Sequence, residues 1–334
     1  MSRRTVRLGL LSTARINELI LPAARASDAV DVVAIGSRDL ARAQRYAAEH
    51  EIERAYGSYD DLLADNELDA VYISLPNSFH VEWSERALTA GKHVLCEKPL
   101  ARSHKEAEHA FATAERAGRI LAEALMYRHH PQTIRLKSLL EDGAVGPLRL
   151  IRAAQSFAIT EDDDVRLFRA LEGGALMDVG CYCVDFARFV AGEPERVYGE
   201  QRCNDDGVDL LFSGTMRFAG DVIAQFDAGI DVPRRDLLEL VCGEGTIEAH
   251  DPWMGGEGEE PAILIHRGGD TERVQTEPLD AYQLQLEDFA AAIRGERAPL
   301  LGPDDAIAQA AAVEALYASA AAGHPVDLPI GISR

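Results

Sequence analysis

The sequence lacks any run of about 18 apolar residues, the length that a membrane-spanning helix needs. Basic residues are also few: the sequence has 34 of them and 56 acidic residues, which gives a formal net charge of −22. A nucleic-acid-binding protein or a protein that adsorbs to anionic membranes normally has a basic face, so we expect neither partner. A local basic pocket for one phosphate remains compatible with this overall acidity.

Cysteine is also scarce, and its five positions do not form the pairs of a disulfide framework. Cys181 and Cys183 are too close for the usual C-x2-C zinc spacing, and we interpret them as small buried side chains on a helix. The adjacent His129 and His130 have no further ligand at a suitable spacing. The sequence therefore predicts no metal site.

The apolar segment near the N-terminus, residues 6–11, is shorter than a secretory h-region, and no small-residue cleavage site closes it. Arg3 and Arg4 suggest a twin-arginine signal as an alternative, but Ser12 and Thr13 interrupt the apolar segment that would have to follow. The composition, 47% hydrophobic and 27% charged, is typical of a soluble globular protein. We expect a cytoplasmic protein.

The length of 334 residues predicts two domains, since single cores stop growing at about 250–300 residues. Residues 1–125 alternate short apolar runs with helical patterns. Strands are predicted at 6–11, 30–36, 69–75, 93–96 and 120–125, and helices at 15–26, 40–50, 81–90 and 104–117. This alternation is typical of a doubly wound parallel α/β sheet, a Rossmann domain, which binds ligands beyond the carboxyl ends of its strands.

Residues 126–334 have a different pattern, in which strands follow one another with short turns. Strands are predicted at 148–159, 197–199, 207–212, 214–218, 222–228, 237–242, 246–249, 262–266 and 274–277, and helices at 133–141, 175–191, 281–294 and 304–322. A glycine- and glutamate-rich loop is predicted at 254–261. We expect an α+β domain with a large, mostly antiparallel, open-faced sheet that serves substrate binding and oligomerisation.

The turn after the first strand is where a dinucleotide-binding fold usually has G-x-G-x-x-G. Ser12, Ala14 and Asn17 occupy the three glycine positions. An ordinary tight turn is therefore an alternative, although serine and alanine are small and two hydroxyl groups lie here. The candidate cofactor-binding residues of this turn are Ser12, Thr13, Ala14, Arg15 and Ile16.

The end of the second strand indicates which cofactor is used. An acidic residue at this point would bind the ribose hydroxyls of NAD, whereas Ser37, Arg38 and, one turn later, Arg42 suit the 2′-phosphate of NADP. Asp39 is predicted to cap the helix that follows. The alternative for Arg38 is a solvent-facing residue at a helix start. We expect NADP, with NAD as the other possibility.

Two further strand ends contribute candidate residues at the same sheet edge. Lys98 is one of only four lysines and precedes a proline, which disfavours helix and holds its backbone extended. A lysine fixed at a ligand-binding edge differs from one on a helix surface. The candidates at these two ends are Leu75, Pro76, Asn77, His80, Glu97 and Lys98.

Glu97-Lys98-Pro99, together with a later segment that runs from Gly173 through Asp178 to Tyr182, resembles the Gfo/Idh/MocA oxidoreductase family over essentially the whole chain. It is most similar to the branch of glucose–fructose oxidoreductase, dimeric dihydrodiol dehydrogenase and NADP-dependent D-xylose 1-dehydrogenase. In that branch tyrosine replaces a histidine, and Tyr182 lies four residues after Asp178 as the pattern requires. The missing turn glycines depart from the family pattern.

The resemblance implies that Tyr182 exchanges a proton with the substrate hydroxyl and that Lys98 holds the reacting oxygen. A tyrosine with a pKa near 10 is a weak base, and a nearby ammonium would favour the phenolate. Asp178 would orient the substrate or Lys98, and Arg128 and Arg166 are substrate candidates. The alternatives are a half-buried core role for Tyr182 and a helix cap for Asp178. Asp185 and Arg188 are interpreted as a surface pair.

We therefore expect an NAD(P)-dependent oxidoreductase that transfers a hydride between a sugar or polyol and nicotinamide. The alternatives are a non-catalytic dinucleotide- or sugar-binding regulator of the same fold, an NAD-dependent glycosidase and a trans-dihydrodiol dehydrogenase. Family members commonly pair through the open sheet face, which we expect to be apolar. A homodimer or homotetramer is therefore predicted.

Overall fold

The computed structural model describes residues 4–253 and 261–328. The chain divides into two compact units: the first comprises Met1–Ala101, Lys105–Met126 and Tyr282–Ala306, and the second comprises Arg102–His104, Tyr127–Ala281 and Ile307–Arg334. The segment Tyr282–Ala306, which the sequence analysis assigned to the second domain, thus returns to the first unit. Its side chains explain this, because Gln283 donates to the Ala26 carbonyl and Glu287 accepts from Ser27 at 3.0 Å.

The α-helices of the described ranges are α1 (Asn17–Arg25), α2 (Leu40–Glu49), α3 (Tyr59–Leu63), α4 (His80–Thr89), α5 (His104–Ala117), α6 (Pro131–Glu141), α7 (Cys181–Ala191), α8 (Ala281–Ile293) and α9 (Pro303–Ala322). One π-helical turn, Leu176–Gly180, directly precedes α7. Within the described residues, no helix combines the length and the apolar composition needed to cross a membrane.

The first unit is built on a six-stranded parallel sheet with strand order β3-β2-β1-β4-β5-β6. Its strands are β1 (Val6–Leu11), β2 (Val30–Gly36), β3 (Arg54–Tyr56), β4 (Ala70–Ile73), β5 (His93–Glu97) and β6 (Leu121–Ala124). The predicted doubly wound fold is confirmed. The prediction missed β3 and α3, because the three residues of β3 contain no apolar run and α3 is too short to show a helical period.

The second unit contains a nine-stranded sheet with strand order β14-β13-β12-β11-β7-β10-β9-β8-β15. Its strands are β7 (Leu148–Ala158), β8 (Arg196–Cys203), β9 (Asp209–Arg217), β10 (Ile223–Gly229), β11 (Asp231–Cys242), β12 (Thr246–Ala249), β13 (Ala262–Arg267), β14 (Asp270–Gln275) and β15 (Val326–Asp327). Each reported strand pair is antiparallel except β7 with β10. The mostly antiparallel sheet of the prediction is confirmed.

Several predicted strand limits were wrong. The segments 207–212 and 214–218 form one strand, β9, in which Gly214 is paired with Phe226. The Phe226 ring occupies the space that a side chain at position 214 would need. Strand β11 begins at Asp231 rather than 237 and absorbs a register shift before Arg235. Strand β14 lies earlier than predicted, after the turn at Gly268 and Gly269. Most of the predicted loop 254–261 lies outside the described residues.

The two faces of the second sheet differ in composition. One face is buried and apolar, with stacked rings of Phe212 and Phe226. The other was expected to be apolar but is mixed, since Leu150, Ile223 and Val241 lie there, partly exposed, among charged side chains. Its strand positions carry cross-strand ion pairs: Arg152 with Glu239 at 3.5 Å, Arg235 with Asp227 at 2.6 Å and Arg202 with Asp231 at 2.7 Å. Alternation along each strand places these charged residues opposite the buried positions.

Candidate active site

The turn after β1 is closed by side-chain hydrogen bonds in place of the usual glycines. Ser12 has a φ of 116°, a backbone region that favours glycine, and its hydroxyl donates to the Ser74 carbonyl at 3.0 Å. The buried Asn17 donates to the Ser12 carbonyl at 2.8 Å and accepts from the Ser74 hydroxyl at 3.2 Å. These polar contacts fix the turn, and no side chain caps the N-terminus of α1 beyond it.

The other candidates of this turn differ in exposure. Arg15 is exposed, whereas Thr13, Ala14 and Ile16 are partly buried. Helix α1 begins only at Asn17, after a turn in which the Asn17 N–H donates to the Ala14 carbonyl at 3.1 Å. The candidates therefore lie on the loop that leads into the positive end of a helix dipole.

Two arginines follow the end of β2, and the charges of both act on Tyr59. Arg38 and Arg42 are both exposed, and Asp39 caps α2 by accepting from the Arg42 backbone N–H at 2.7 Å, as predicted. Burial raises the pKa of Tyr59, and the positive charges of Arg38 and Arg42 act in the opposite direction. Tyr59, at the start of α3, was not identified from the sequence, because nothing in the pattern indicated that α3 exists.

Histidine 80, a predicted cofactor residue, connects two loops at the sheet edge. The side chain is buried, with Nε2 at 2.7 Å from the Leu75 carbonyl and Nδ1 at 2.8 Å from the Pro99 carbonyl. Burial lowers the pKa of His80. The imidazole thus joins the loop after β4, where Leu75, Pro76 and Asn77 are half-buried, to the loop after β5.

Glutamate 97 holds the backbone at Lys98. Its carboxylate accepts hydrogen bonds from the Tyr72 hydroxyl and, at 3.2 Å, from the Lys98 N–H. On the other side of the cis Lys98–Pro99 peptide, the Leu100 N–H donates to Glu123 at 2.8 Å. Lys98 is half-buried at the carboxyl end of β5. Tyr72 and Glu123 were missed, since both lie within strands that read as core.

In the second unit, the predicted helix 175–191 begins with the π-helical turn. Asp178 lies in this turn and Tyr182 in the first turn of α7. The start of this helical segment lies close against β10, because a side chain on Gly180 would come within 3.0 Å of Ala228. Tyr182 is only 7% exposed, and its ring centroid lies 5.7 Å from that of Tyr127 and 6.1 Å from that of Trp253.

Arginine 166 forms a cluster of charges with Asp164 and Asp178. It donates to Asp164 at 2.6 Å and 2.8 Å and to Asp178 at 3.2 Å, and its guanidinium lies 4.9 Å from the centre of the Phe157 ring. The hydrogen bonds to Asp164 raise the pKa of Arg166. The backbone at Arg166 lies close to Gly173, because a Cβ on Gly173 would be only 2.1 Å from the Arg166 carbonyl oxygen. The sequence identified Arg166 and Asp178 but not their contact.

Arginine 128, a predicted substrate residue, lies in a buried ion pair. It donates to both carboxylate oxygens of Asp185 at 2.9 Å and 3.0 Å and packs 3.9 Å above the Phe189 ring. Asp185 also accepts from the Tyr127 hydroxyl and has Arg188 at 3.9 Å. Interpreting Asp185 and Arg188 as a surface pair was wrong, because both are buried.

The histidines, cysteines and carboxylates of residues 4–253 and 261–328 include no group of three or more that could hold a metal ion. Cys181 and Cys183 are buried thiols on α7 that form no disulfide, and burial raises the pKa of Cys183.

Comparison with known proteins adds to this geometry. Residues 7–125 match the oxidoreductase family with an NAD-binding Rossmann fold, and residues 133–248 match the GFO/IDH/MocA C-terminal domain. The D-xylose 1-dehydrogenase (NADP(+)) 2 of Haloferax volcanii is 36% identical over 96% of this chain and 99% of its own length. The trans-1,2-dihydrobenzene-1,2-diol dehydrogenase of Danio rerio is 35% identical over 73% of this chain and 74% of its own.

Among solved structures, KijD10, a 3-ketoreductase from Actinomadura kijaniata in complex with NADP and TDP-benzene, superimposes with a TM-score of 0.90 at 30% identity. The match covers 95% of this chain and 98% of that one.

Proposed function

The chain belongs to the Gfo/Idh/MocA oxidoreductase family, and on that premise we propose that it is an NADP-dependent dehydrogenase or reductase of a sugar or polyol. The observation that carries the proposal is Lys98, a half-buried ammonium at the carboxyl edge of a Rossmann sheet. Glu97 fixes its backbone there. The xylose dehydrogenase and the ketoreductase among its relatives, both named as acting on sugars or with NADP, support the substrate class and the cofactor.

The residues of the first unit fit NADP. Arg38 and Arg42 offer two guanidinium groups for a 2′-phosphate, which they would bind through charge-assisted hydrogen bonds. The turn of Ser12, Thr13, Ala14, Arg15 and Ile16 and the uncapped start of α1 would hold the pyrophosphate. We assign Ser37, Leu75, Pro76, Asn77, Glu97 and Lys98 to the rest of the cofactor site. Bound NADP supplies the nicotinamide that exchanges a hydride with the substrate carbon.

The protein supplies the proton and the orientation. Tyr182 takes the hydroxyl proton during oxidation and returns it during reduction, while the Lys98 ammonium binds the substrate oxygen and favours the phenolate. Asp178, paired with Arg166, orients the substrate hydroxyls, and Arg166 is the proposed substrate contact. Arg128 remains a second proposed substrate residue, and its pair with Asp185 holds α7 and Tyr127 in place.

The test is a panel of aldoses, cyclic polyols and trans-dihydrodiols, each offered with NADP and with NAD, while the absorbance of the reduced cofactor is followed. We expect turnover of a sugar or polyol with NADP. Tight NADP binding without turnover would indicate a non-catalytic regulator, and cleavage of a glycoside without net cofactor change would indicate the glycosidase. Turnover confined to the dihydrodiols would indicate a dihydrodiol dehydrogenase.

Arg38→Ala is expected to weaken NADP binding by about 10- to 100-fold and to leave NAD binding nearly unchanged, since the lost bond is charge-assisted and only NADP has the phosphate. The measurement is a fluorescence titration with each cofactor. Arg45→Ala, which removes another exposed arginine of α2, is the matched control and should change neither affinity. Equal weakening of both cofactors would contradict the 2′-phosphate role.

We also propose that the protein is a cytoplasmic homodimer or homotetramer that associates through the open face of the second sheet. The five cysteines form no disulfide, which is compatible with a reducing compartment. Arg152, Glu239, Arg235 and Asp227 give that face charges of both signs, so the same face of a second copy can complement it. Light scattering at micromolar concentration should give at least a dimer, and Arg235→Glu should shift it towards monomer. A monomeric wild-type protein would contradict this.

A further inference from the structure

A buried carboxylate lies at the N-terminal end of the helical segment that carries Asp178 and Tyr182. Asp209, the first residue of β9, is only 2% exposed, and its Oδ2 accepts from the Leu176 N–H at 2.7 Å. The Leu176 N–H belongs to the first turn of this segment, where backbone donors have no partner within the helix. Asp209 therefore supplies the missing acceptor from a strand that is distant in sequence.

The second carboxylate oxygen of Asp209 is also bound. Oδ1 accepts from the Tyr317 hydroxyl at 2.9 Å, and Tyr317 is held on α9 by an edge-to-face contact with Phe212. The same hydroxyl faces the Met177 backbone N–H, which lowers the pKa of Tyr317 against the larger, raising effect of burial. Asp209 thus satisfies the Leu176 N–H of the first helical turn, and Tyr317 holds the other oxygen of the same carboxylate.

Glycine 174 leaves room for Asp209 and the Tyr317 hydroxyl because it lacks a side chain. A Cβ at this position would lie 2.1 Å from Asp209 Oδ1 and 3.1 Å from the Tyr317 hydroxyl, and the backbone φ of 130° also favours glycine. The position therefore requires glycine, because any side chain there would clash with Asp209. Nothing in the local sequence pattern indicates this partner.

The charged and titratable groups around Asp209 come from four elements. They are Arg102 before α5, whose guanidinium lies 4.2 Å from the centre of the Tyr317 ring, Tyr317 on α9, Cys203 at the end of β8, and the helix N-terminus at Leu176. Burial raises the pKa of Asp209 to about 6, while the hydrogen bonds from Leu176 and Tyr317 and the charge of Arg102 oppose that increase.

We propose that Asp209 is a positioning residue, whose ionised carboxylate holds the first turn of the helical segment and thereby the orientation of Asp178 and Tyr182. The proposal rests on the proposed function, in which Tyr182 exchanges the proton. A carboxylate at a helix N-terminus interacts favourably with the helix dipole, and its bond to an N–H is charge-assisted. When Asp209 takes up a proton, it keeps its shape but loses this charge.

The first test is the pH profile of turnover. Asp209→Asn preserves the shape of the side chain without its charge and should lower kcat about ten-fold at neutral pH, the difference between a charge-assisted and a neutral hydrogen bond. Wild-type kcat should fall as the pH drops through about 6, and the variant should lack that inflection. Tyr317→Phe removes a bond that stabilises the ionised form, so its inflection should move to higher pH.

The second test does not depend on activity. Trp253 and Trp83 are the only tryptophans, and the Trp253 ring lies beside that of Tyr182. In a Trp83→Phe background, Trp253 fluorescence should change with a midpoint near pH 6, and Asp209→Asn should abolish that change. Asp206→Asn is the matched control, because Asp206 also accepts from a backbone N–H, at 2.8 Å, but is exposed.

Thermal stability separates positioning from a merely structural role. Because the folded-state pKa of Asp209 lies above the unfolded value of about 4, the buried charge destabilises the fold above about pH 6, and this effect vanishes as the pH falls towards 4. Asp209→Asn should therefore be less active and yet have a higher Tm than wild type at about pH 8, with little difference at about pH 4.

The outcomes distinguish the two proposals. If Tyr182→Phe retains normal turnover, the proposed function fails, whatever Asp209 does. If Tyr182→Phe is inactive while Asp209→Asn has wild-type kcat and an unchanged fluorescence midpoint, the positioning role is overturned. A variant that loses both activity and Tm at pH 8 would show that Asp209 only supports the fold.

Discussion

Tyr182→Phe is expected to lower kcat about 10³-fold and to leave NADP binding in place. The phenolic hydroxyl is the only group that this change removes. General acid–base catalysis contributes about 10²- to 10⁴-fold to the rate. The buried ring, packed beside Tyr127 and Trp253, should keep its position as phenylalanine, so the loss can be attributed to chemistry. Steady-state kinetics on the best substrate of the panel would measure kcat. A fluorescence titration would measure NADP binding.

Lys98→Met should lower kcat by a similar factor. Methionine keeps most of the length of the side chain but lacks the ammonium that binds the substrate oxygen and favours the phenolate. Lys105→Met and Tyr198→Phe are the matched controls. Lys105 is exposed in the first turn of α5, and the Tyr198 hydroxyl bonds to Glu200 on the open sheet face. Near-normal turnover of either Lys98→Met or Tyr182→Phe would refute the proposed proton transfer.

The elements that the sequence predicted well are those whose signal is local. Strands β1 and β2 have the predicted limits, because each is a continuous apolar run in a parallel sheet that is buried on both faces. Helix α5 also matches residue for residue, and Asp39 caps α2 as predicted. In these segments, neighbouring residues alone decide the structure.

The features that were missed depend on contacts between residues distant in sequence. No local pattern distinguishes the π-helical turn from an α-helix, and the close packing of Gly180 against Ala228 involves a strand far along the chain. The ion pair of Arg128 was also missed, because its buried partner Asp185 lies 57 residues away in the sequence. His80 likewise reads as a cofactor ligand, although two carbonyl groups from separate loops face its imidazole.

Asp185→Asn is expected to lower the free energy of unfolding by about 3 kcal/mol or more, the largest effect on stability that we predict. Removing one partner of a buried ion pair leaves the other charge uncompensated, which costs about 3–5 kcal/mol. Here two guanidinium groups depend on the same carboxylate, at 2.9 Å for Arg128 and 3.9 Å for Arg188. Glu193 still neutralises Arg188, which limits the loss at that second guanidinium.

The matched control is Asp227→Asn, which breaks a pair of the same residue types on the open sheet face. Arg235 lies only 2.6 Å from Asp227, yet both side chains are substantially solvent-accessible, and such a pair contributes at most about 1 kcal/mol. Urea unfolding of both variants measures the difference through the transition midpoint. Adding Arg128→Met to Asp185→Asn should restore part of the stability, because the buried guanidinium that had lost Asp185 is then removed. Equal losses at Asp185 and Asp227 would contradict the conclusion that burial, rather than the short distance, makes the Arg128–Asp185 pair costly to break.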